Sequence, residues 1–240
     1  MFLIFIILVV IVIFLYYLLV ITEGTYLGSR VVIWLYDLTA RRYDRIKDLQ
    51  YVNEASYLGT PLMRELTGLD APRLLDIATG TGRLLRIASQ FLEGSPLLVG
   101  VDRSCGMLAE AQVVLAAWGC STSLLRVEAS QLAFCDEAFD CVCCLESLEF
   151  MWRPGLVLQE MVRVLKPGGL LLLSNRVGRD AWLFPGRLCG RGRLEAHLQE
   201  MGMHAVRTEL WQVHYDLVWA RKPRTSPVDE RIVANVTGIS

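Results

Sequence analysis

Leu74-Leu75-Asp76-Ile77-Ala78-Thr79-Gly80-Thr81-Gly82-Arg83 is an apolar run that ends in an acid and then turns glycine-rich. A buried strand supplies such a run, and the glycines let the backbone turn sharply and approach a ligand before a helix begins. The stretch therefore predicts a strand, loop and helix around a nucleotide. The dinucleotide fingerprint G-x-G-x-x-G requires glycine where this chain, counted from Gly80, has Leu85. A nicotinamide oxidoreductase is disfavoured on that ground.

Downstream, Leu84, Ile87, Ala88 and Phe91 have helical spacing over Arg83–Phe91, and Leu97–Val101 is a second apolar strand that ends in Asp102. An acid about 20 residues past the glycines, at a strand tip, is placed to accept both ribose hydroxyls, since a carboxylate offers two oxygens. The structural alternative is a helix cap, with Ser104 also available for that role. A helix over Gly106–Trp118 and a strand over Thr122–Val127 follow. Cys141–Leu145 is the fourth strand, and Glu146 and Glu149 come just past its end. Open α/β sheets bind ligands at that edge, so both acids are candidate catalytic groups; the alternative is solvated carboxylates favoured by a helix dipole. Leu156–Leu165 reads as a helix. Leu165-Lys166-Pro167-Gly168-Gly169 then reads as a tight reversal into a strand at Leu170–Ser174. A helix over Arg193–Met201 and two strands, His204–Trp211 and Tyr215–Ala220, close the fold. Residues 223–240 read as a loose tail.

The 240 residues are 53% hydrophobic and 20% charged with a net charge of -1, which suits one globular domain plus something unusually apolar. Near-neutral charge argues against a nucleic acid partner, because phosphate binding normally needs a basic excess. Cys141, Cys143 and Cys144 sit inside an apolar run without the paired C-x-x-C spacing of zinc sites. They read as reduced core residues, and no metal site is expected. The three histidines are scattered and read as structural.

Met1–Ile21 carries no charge, so as a helix it would span about 30 Å, the thickness of the hydrocarbon core. It reads as a retained transmembrane anchor; a secretory signal would show a basic start, a shorter core and a small-residue cleavage site. The nearest basic residues, Arg30, Arg41, Arg42, Arg45 and Lys47, all follow the span, which predicts a single-pass protein with its domain facing the cytoplasm. Residues 22–69 read as juxtamembrane and lid helices, with Trp34, Tyr36 and the arginines at headgroup level. Arg176, Arg179, Trp182, Phe184 and Pro185 make an arginine- and aromatic-rich loop that reads either as an entry for an apolar, anionic substrate or as plain surface.

The acid followed by Ala78, Gly80 and Gly82 resembles the first motif, G-x-G-x-G, of class I S-adenosylmethionine-dependent methyltransferases, with Ala78 in place of the first glycine. Tyr36-Asp37, Ala40 and Tyr43-Asp44 resemble the Y-D-x-x-A-x-x-Y-D segment of quinone-biosynthesis and related small-molecule methyltransferases. Glu128-Ala129-Ser130-Gln131-Leu132-Ala133-Phe134 resembles their D-A-x-x-L-P-F, and Leu165–Gly169 their L-K-P-G-G. Glu146-Ser147-Leu148-Glu149-Phe150 is similar to the E-x-L-E-H of quinone-precursor O-methyltransferases, with Phe150 where a metal-associated histidine would stand.

The resemblance covers roughly residues 36–222. It implies a Rossmann-like α/β sheet of seven strands, one antiparallel, over residues 70–222, and S-adenosylmethionine as cofactor. The cofactor residues it implies are Asp76, Ala78, Thr79, Gly80 and Gly82 at the loop, Asp102 and Arg103 at the ribose, Glu128 and Ala129 at the adenine, and Tyr43 near the methionine end. Glu146, then Glu149, are its candidates for a catalytic base. With the anchor, it implies methyl transfer to a lipophilic acceptor such as a quinone precursor. A phospholipid amine is the alternative acceptor, and a membrane-tethered interaction protein without activity is the alternative of another class.

Overall fold

The computed structural model describes residues 2–47 and 54–224. Helix α1 (Phe2–Tyr16) runs on through a widened last turn to Ile21, where the Thr22 amide reaches back to the Tyr17 carbonyl at 2.9 Å. Residues 2–21 form a helix long and apolar enough to cross a membrane, and none of it is buried in the protein. After a sharp turn, α2 (Ser29–Lys47) begins. The side chains of Arg45 and Lys47, and the expected tail from residue 225 onward, lie outside the described residues.

The domain is built on β1 (Arg73–Ile77), whose Leu74, Leu75 and Ile77 are fully buried. Such a strand must be covered on both faces, and a run of apolar residues with no polar alternation is what a central parallel strand requires. It pairs in parallel with β2 (Leu97–Asp102) on one side and β4 (Phe139–Cys144) on the other; β3 (Thr122–Arg126) pairs outside β2. Beyond β4 lie β5 (Leu165–Arg176), β7 (Tyr215–Arg221) and β6 (His204–Leu210). The order is β3-β2-β1-β4-β5-β7-β6, with β7 antiparallel to both neighbours. The expected seven strands with one antiparallel are present.

Strand periodicity sends alternate residues to opposite faces. Leu75, Ile77, Val142, Cys144, Leu171 and Leu173 pack on one face against α6 (Pro154–Val164) and α7 (Arg193–Glu200). Leu74, Cys141, Cys143, Leu170 and Leu172 pack on the other against α3 (Thr60–Glu65), α4 (Arg83–Phe91) and α5 (Cys105–Ala117). All seven cysteines are free thiols, with Cys105 and Cys135 exposed. Burial pushes the Cys144 thiol up to about 12 and the Cys143 thiol well above its ordinary value. Asp140 is structural: it accepts the Arg73 amide at 2.9 Å and the Lys166 ammonium at 2.7 Å, tying three strands together.

The Leu165–Gly169 stretch corrects the expected reversal. Helix α6 passes directly into β5, and pairing with β4 jumps from Phe139–Leu165 to Cys141–Leu170. Five residues of one strand thus span two of the other, so the tract is a bulge. It is held from outside the pair: Gly168 donates to the Lys222 carbonyl at 2.9 Å, and the Arg221 guanidinium donates to the Gly168 carbonyl at 3.0 Å.

Candidate active site

Strand order reverses between β1 and β4, and the crevice at the carboxyl ends of such strands is where open sheets bind ligands. A cavity of about 240 Å³ lies there. Its floor is the turn after β1, where Ala78, Gly80 and Gly82 all take the left-handed backbone, at φ 55°, 56° and 82°. That conformation is why glycine suits the first motif position, and alanine there carries strain of about 1–2 kcal/mol. The turn is cross-braced. The Thr79 amide donates to the Val101 carbonyl at 3.0 Å, and the Thr79 hydroxyl donates to buried Asp76 at 2.8 Å. Asp76 does not line the cavity; it holds the turn. Burial raises its carboxyl to about 7, against the lowering effects of the Thr79 hydrogen bond and the Arg83 charge.

Asp102 lines the cavity from the tip of β2. One of its oxygens accepts the Gly80 amide at 3.0 Å and the other the Ser104 amide at 2.9 Å. Burial raises its pKa and the amides of Ser104, Gly80 and Arg103 oppose the rise. A carboxylate accepts about four hydrogen bonds, so each oxygen keeps capacity for a ligand hydroxyl. Arg103 and Glu128 form an ion pair, and both line the cavity with Ala129. A Cβ added at Gly80, a lining residue, would enter open space. These residues fit a nucleoside with a free diol.

Helix α2 covers this edge. Tyr36 and Tyr43 line the cavity, together with Ser29, Val32 and Ile33. The acids beside the tyrosines dock the helix, a role that sequence reading missed. Asp37 accepts the Ser104 hydroxyl at 2.6 Å and the Gly106 amide at 2.9 Å, at the start of α5. Asp44 accepts the Thr81 hydroxyl of the glycine turn at 2.6 Å. Ser104 caps α5 as well, accepting the Met107 amide at 3.0 Å, so its oxygen links α2 and α5. The Tyr36 hydroxyl donates to Glu23 at 2.5 Å; burial, then the Glu23 charge, raises its pKa well above the ordinary value. The repeated tyrosine–acid pair seven residues apart was the available signal: two turns of helix put both acids on one face.

Past β4, Glu146 is buried, lines the cavity and takes a left-handed φ of 50°. Its amide donates to Ser174 at 2.5 Å, and its carboxylate accepts Arg83 at 2.9 Å and Gln212 at 3.1 Å. Arg83 also pairs with Glu54 at 3.0 Å and lies over the Trp211 ring. Glu149 is placed differently from Glu146. It is buried away from the cavity lining, held by Arg176 at 2.9 Å and by the Tyr215 hydroxyl. Burial raises the pKa of Tyr215 well above its ordinary value, with the Glu149 charge adding to it. Arg176 stacks against Phe184 and Tyr215 at 4.7 and 4.8 Å. Phe150 does line the cavity, edge-on to Tyr36 and Phe184, so the position of the metal-associated histidine is part of an apolar wall.

Residues 74–169 match the family model described as a methyltransferase domain. That match puts a methyltransferase domain at the cavity, on a Rossmann-like sheet of the class I S-adenosylmethionine-dependent methyltransferase fold. Over 148 residues this chain is 33% identical to the ubiquinone/menaquinone biosynthesis C-methyltransferase UbiE of Pseudomonas paraeruginosa, an alignment covering 60% of this chain and 57% of that one. It is 30% identical over 150 residues to the ubiquinone biosynthesis O-methyltransferase of Pseudomonas fluorescens, covering 61% and 63%. The chain thus spans about three fifths of the length of the curated relatives it matches. Among solved structures, a SAM-dependent methyltransferase from Aquifex aeolicus superposes with a TM-score of 0.64 at 18% identity, over 77% of this chain and 97% of that one. The [4+2]-cyclase SpnF superposes at 0.58 with 24% identity, over 69% and 80%. Both structural likenesses concern the methyltransferase fold.

Proposed function

We propose that the protein is a membrane-anchored methyltransferase acting on a lipophilic small molecule such as a quinone precursor, with its domain on the cytoplasmic face. The observation that carries this reading is one shared cavity. Asp102, Arg103, Glu128 and Ala129 line it on the nucleoside side, while Val32 and Ile33 of α2, with Phe150 and Val157, line it with apolar surface. The helix contributing that surface is the one that follows α1. The curated relatives named for quinone biosynthesis support the acceptor class. Basic residues on the C-terminal side of α1 support the orientation.

S-adenosylmethionine supplies an activated methyl group on a sulfonium, so the protein's task is alignment and exclusion of water. Asp102 would hold the ribose hydroxyls, the amides of the glycine turn and Ala78 would frame the cofactor, and Glu128 with Ala129 would read the adenine edge. Tyr43, from the docked lid, would close over the methionine end. Glu146 is the base or acceptor contact in this reading. Paired with Arg83 at 2.9 Å on the cavity wall, it would take the proton that the acceptor gives up on methylation. Membrane extracts incubated with methyl-labelled cofactor and the full chain should give label in a lipid fraction. Label confined to water-soluble products would overturn the acceptor class, and no cofactor binding by calorimetry would overturn the enzymatic reading altogether.

A further inference from the structure

We propose that the segment from Arg176 to Arg193 binds the headgroups of anionic phospholipids in the bilayer that α1 enters. The inference rests on the reading of α1 as a membrane anchor and adds to it a second, separate contact with the lipid surface.

The segment carries five arginines, at 176, 179, 187, 191 and 193, against one acid, Asp180; Arg176 is held by Glu149 and Arg187 is buried, which leaves Arg179, Arg191 and Arg193 exposed. It folds around a second cavity of about 620 Å³, lined by Trp182, Pro185, Arg191 and Arg193 among others, and sharing no lining residue with the cofactor cavity. The loop thus bounds a space separate from the cofactor cavity. What joins the two cavities is a wall: Phe184 of the second stands edge-on to Phe150 of the first at 5.5 Å.

Two hydrogen bonds place this loop beside the end of α1. The Tyr17 hydroxyl donates to the Leu183 carbonyl at 2.8 Å, and the Tyr26 hydroxyl donates to the Pro185 carbonyl at 2.8 Å. The two tyrosine rings stack, and Arg187 lies over the second. Tyr17 comes where the apolar helix ends, the level at which aromatic belts meet headgroups. From the same loop Trp182 projects with 84% of its surface exposed. An indole at that level beside guanidinium groups matches a phosphodiester surface, since arginine presents a flat fork of donors to phosphate oxygens.

The acids near the cavity are already engaged. Asp216 takes Arg191 at 2.6 Å, Asp180 faces His214 at 2.8 Å and Arg176 at 3.8 Å, and Glu195 accepts the Gly192 amide and the Thr208 hydroxyl. Arg193 is exposed and makes no ion pair among the described residues, so its charge faces outward uncompensated.

The test uses the full chain in liposomes of phosphatidylcholine with or without phosphatidylglycerol. The readout is quenching of Trp182 by headgroup-labelled lipid, taken as the difference between the native chain and Trp182→Phe. Phosphatidylglycerol should raise that quenching severalfold, and the double variant Arg179→Glu/Arg193→Glu should abolish the rise while calorimetry shows unchanged cofactor binding. Equal quenching in both compositions, or a rise that survives the double variant, overturns the proposal. So does reversal by millimolar inorganic phosphate, which would reveal a free-phosphate site. Alkaline carbonate extraction separates the two readings: protein released from the liposomes overturns the anchor and this site together. Protein retained with composition-independent quenching overturns this site alone.

Discussion

Replacing Asp37 by alanine should loosen the lid without unfolding the domain. Its carboxylate accepts two hydrogen bonds at the start of α5, from the Ser104 hydroxyl at 2.6 Å and the Gly106 amide at 2.9 Å. Each is assisted by charge and sits where the helix dipole favours an anion. Allowing for partial exposure, the pair stabilises docking by about 2–3 kcal/mol, which corresponds to a roughly 30- to 150-fold larger population of undocked α2 in the variant. Hydrogen exchange of the amides of residues 29–44, compared with those of β1, measures that population directly. The lid amides should exchange faster by that factor while the sheet is unchanged, and cofactor affinity should fall as Tyr36 and Tyr43 leave the cavity wall. Asp37→Asn, which keeps an acceptor oxygen and loses the charge, should give a smaller effect in the same direction. Lid exchange that matches the native chain would refute the docking argument, whatever happened to activity.

Asp102→Ala should weaken S-adenosylmethionine binding by about 30- to 150-fold in calorimetry, as two charge-assisted hydrogen bonds to a diol are lost; affinity within threefold of native would remove the ribose role. Asp76 has a folded-state carboxyl raised to about 7 from 3.8, so the native state binds the extra proton and stability falls as pH rises between those values. Asp76→Asn should flatten the denaturant midpoint across that window and stabilise the protein at pH 8; an unaltered slope would show that Asp76 is not its source. Ala78→Val should destabilise by more than about 2 kcal/mol, because a β-branched side chain tolerates positive φ poorly. Ala78→Gly should stay within about 1 kcal/mol of native, strain relief being offset by a more flexible unfolded chain. Urea unfolding of the two variants decides.

The sheet was legible because its signals are local. The run from Leu74 to Ile77 is apolar on both faces, the glycine turn follows at once, and strands and helices alternate at regular spacing. That Asp102 and Glu128 come to one cavity was legible for the same reason, since each stands at or just past a strand end. What could not be read depends on partners distant in sequence. Glu146 and Glu149 are three residues apart and both read as candidates, the first ahead of the second, yet Arg83 and Gln212 engage the first at the cavity while Arg176 and Tyr215 bury the second behind it. The Leu165–Gly169 tract has the composition of a turn, but Arg221 and Lys222, more than 50 residues away, pin it as a bulge. Asp37 and Asp44 likewise find their partners far along the chain, at Ser104, Gly106 and Thr81, so their docking role has no local signature.

The uneven burial of the thiols has a practical consequence for following the lid. Cys143 and Cys144 are sealed in the sheet with pKa values far above neutrality, and Cys189 is likewise pushed up to about 12. Mild maleimide labelling near pH 7 will therefore be confined chiefly to the exposed pair, Cys105 and Cys135. Cys105 opens α5, next to the glycine whose amide Asp37 clasps. A maleimide fluorophore at Cys105 therefore sits beside the contact that docks α2, and its emission, with Cys135 as internal reference, follows docking without introducing a single foreign side chain.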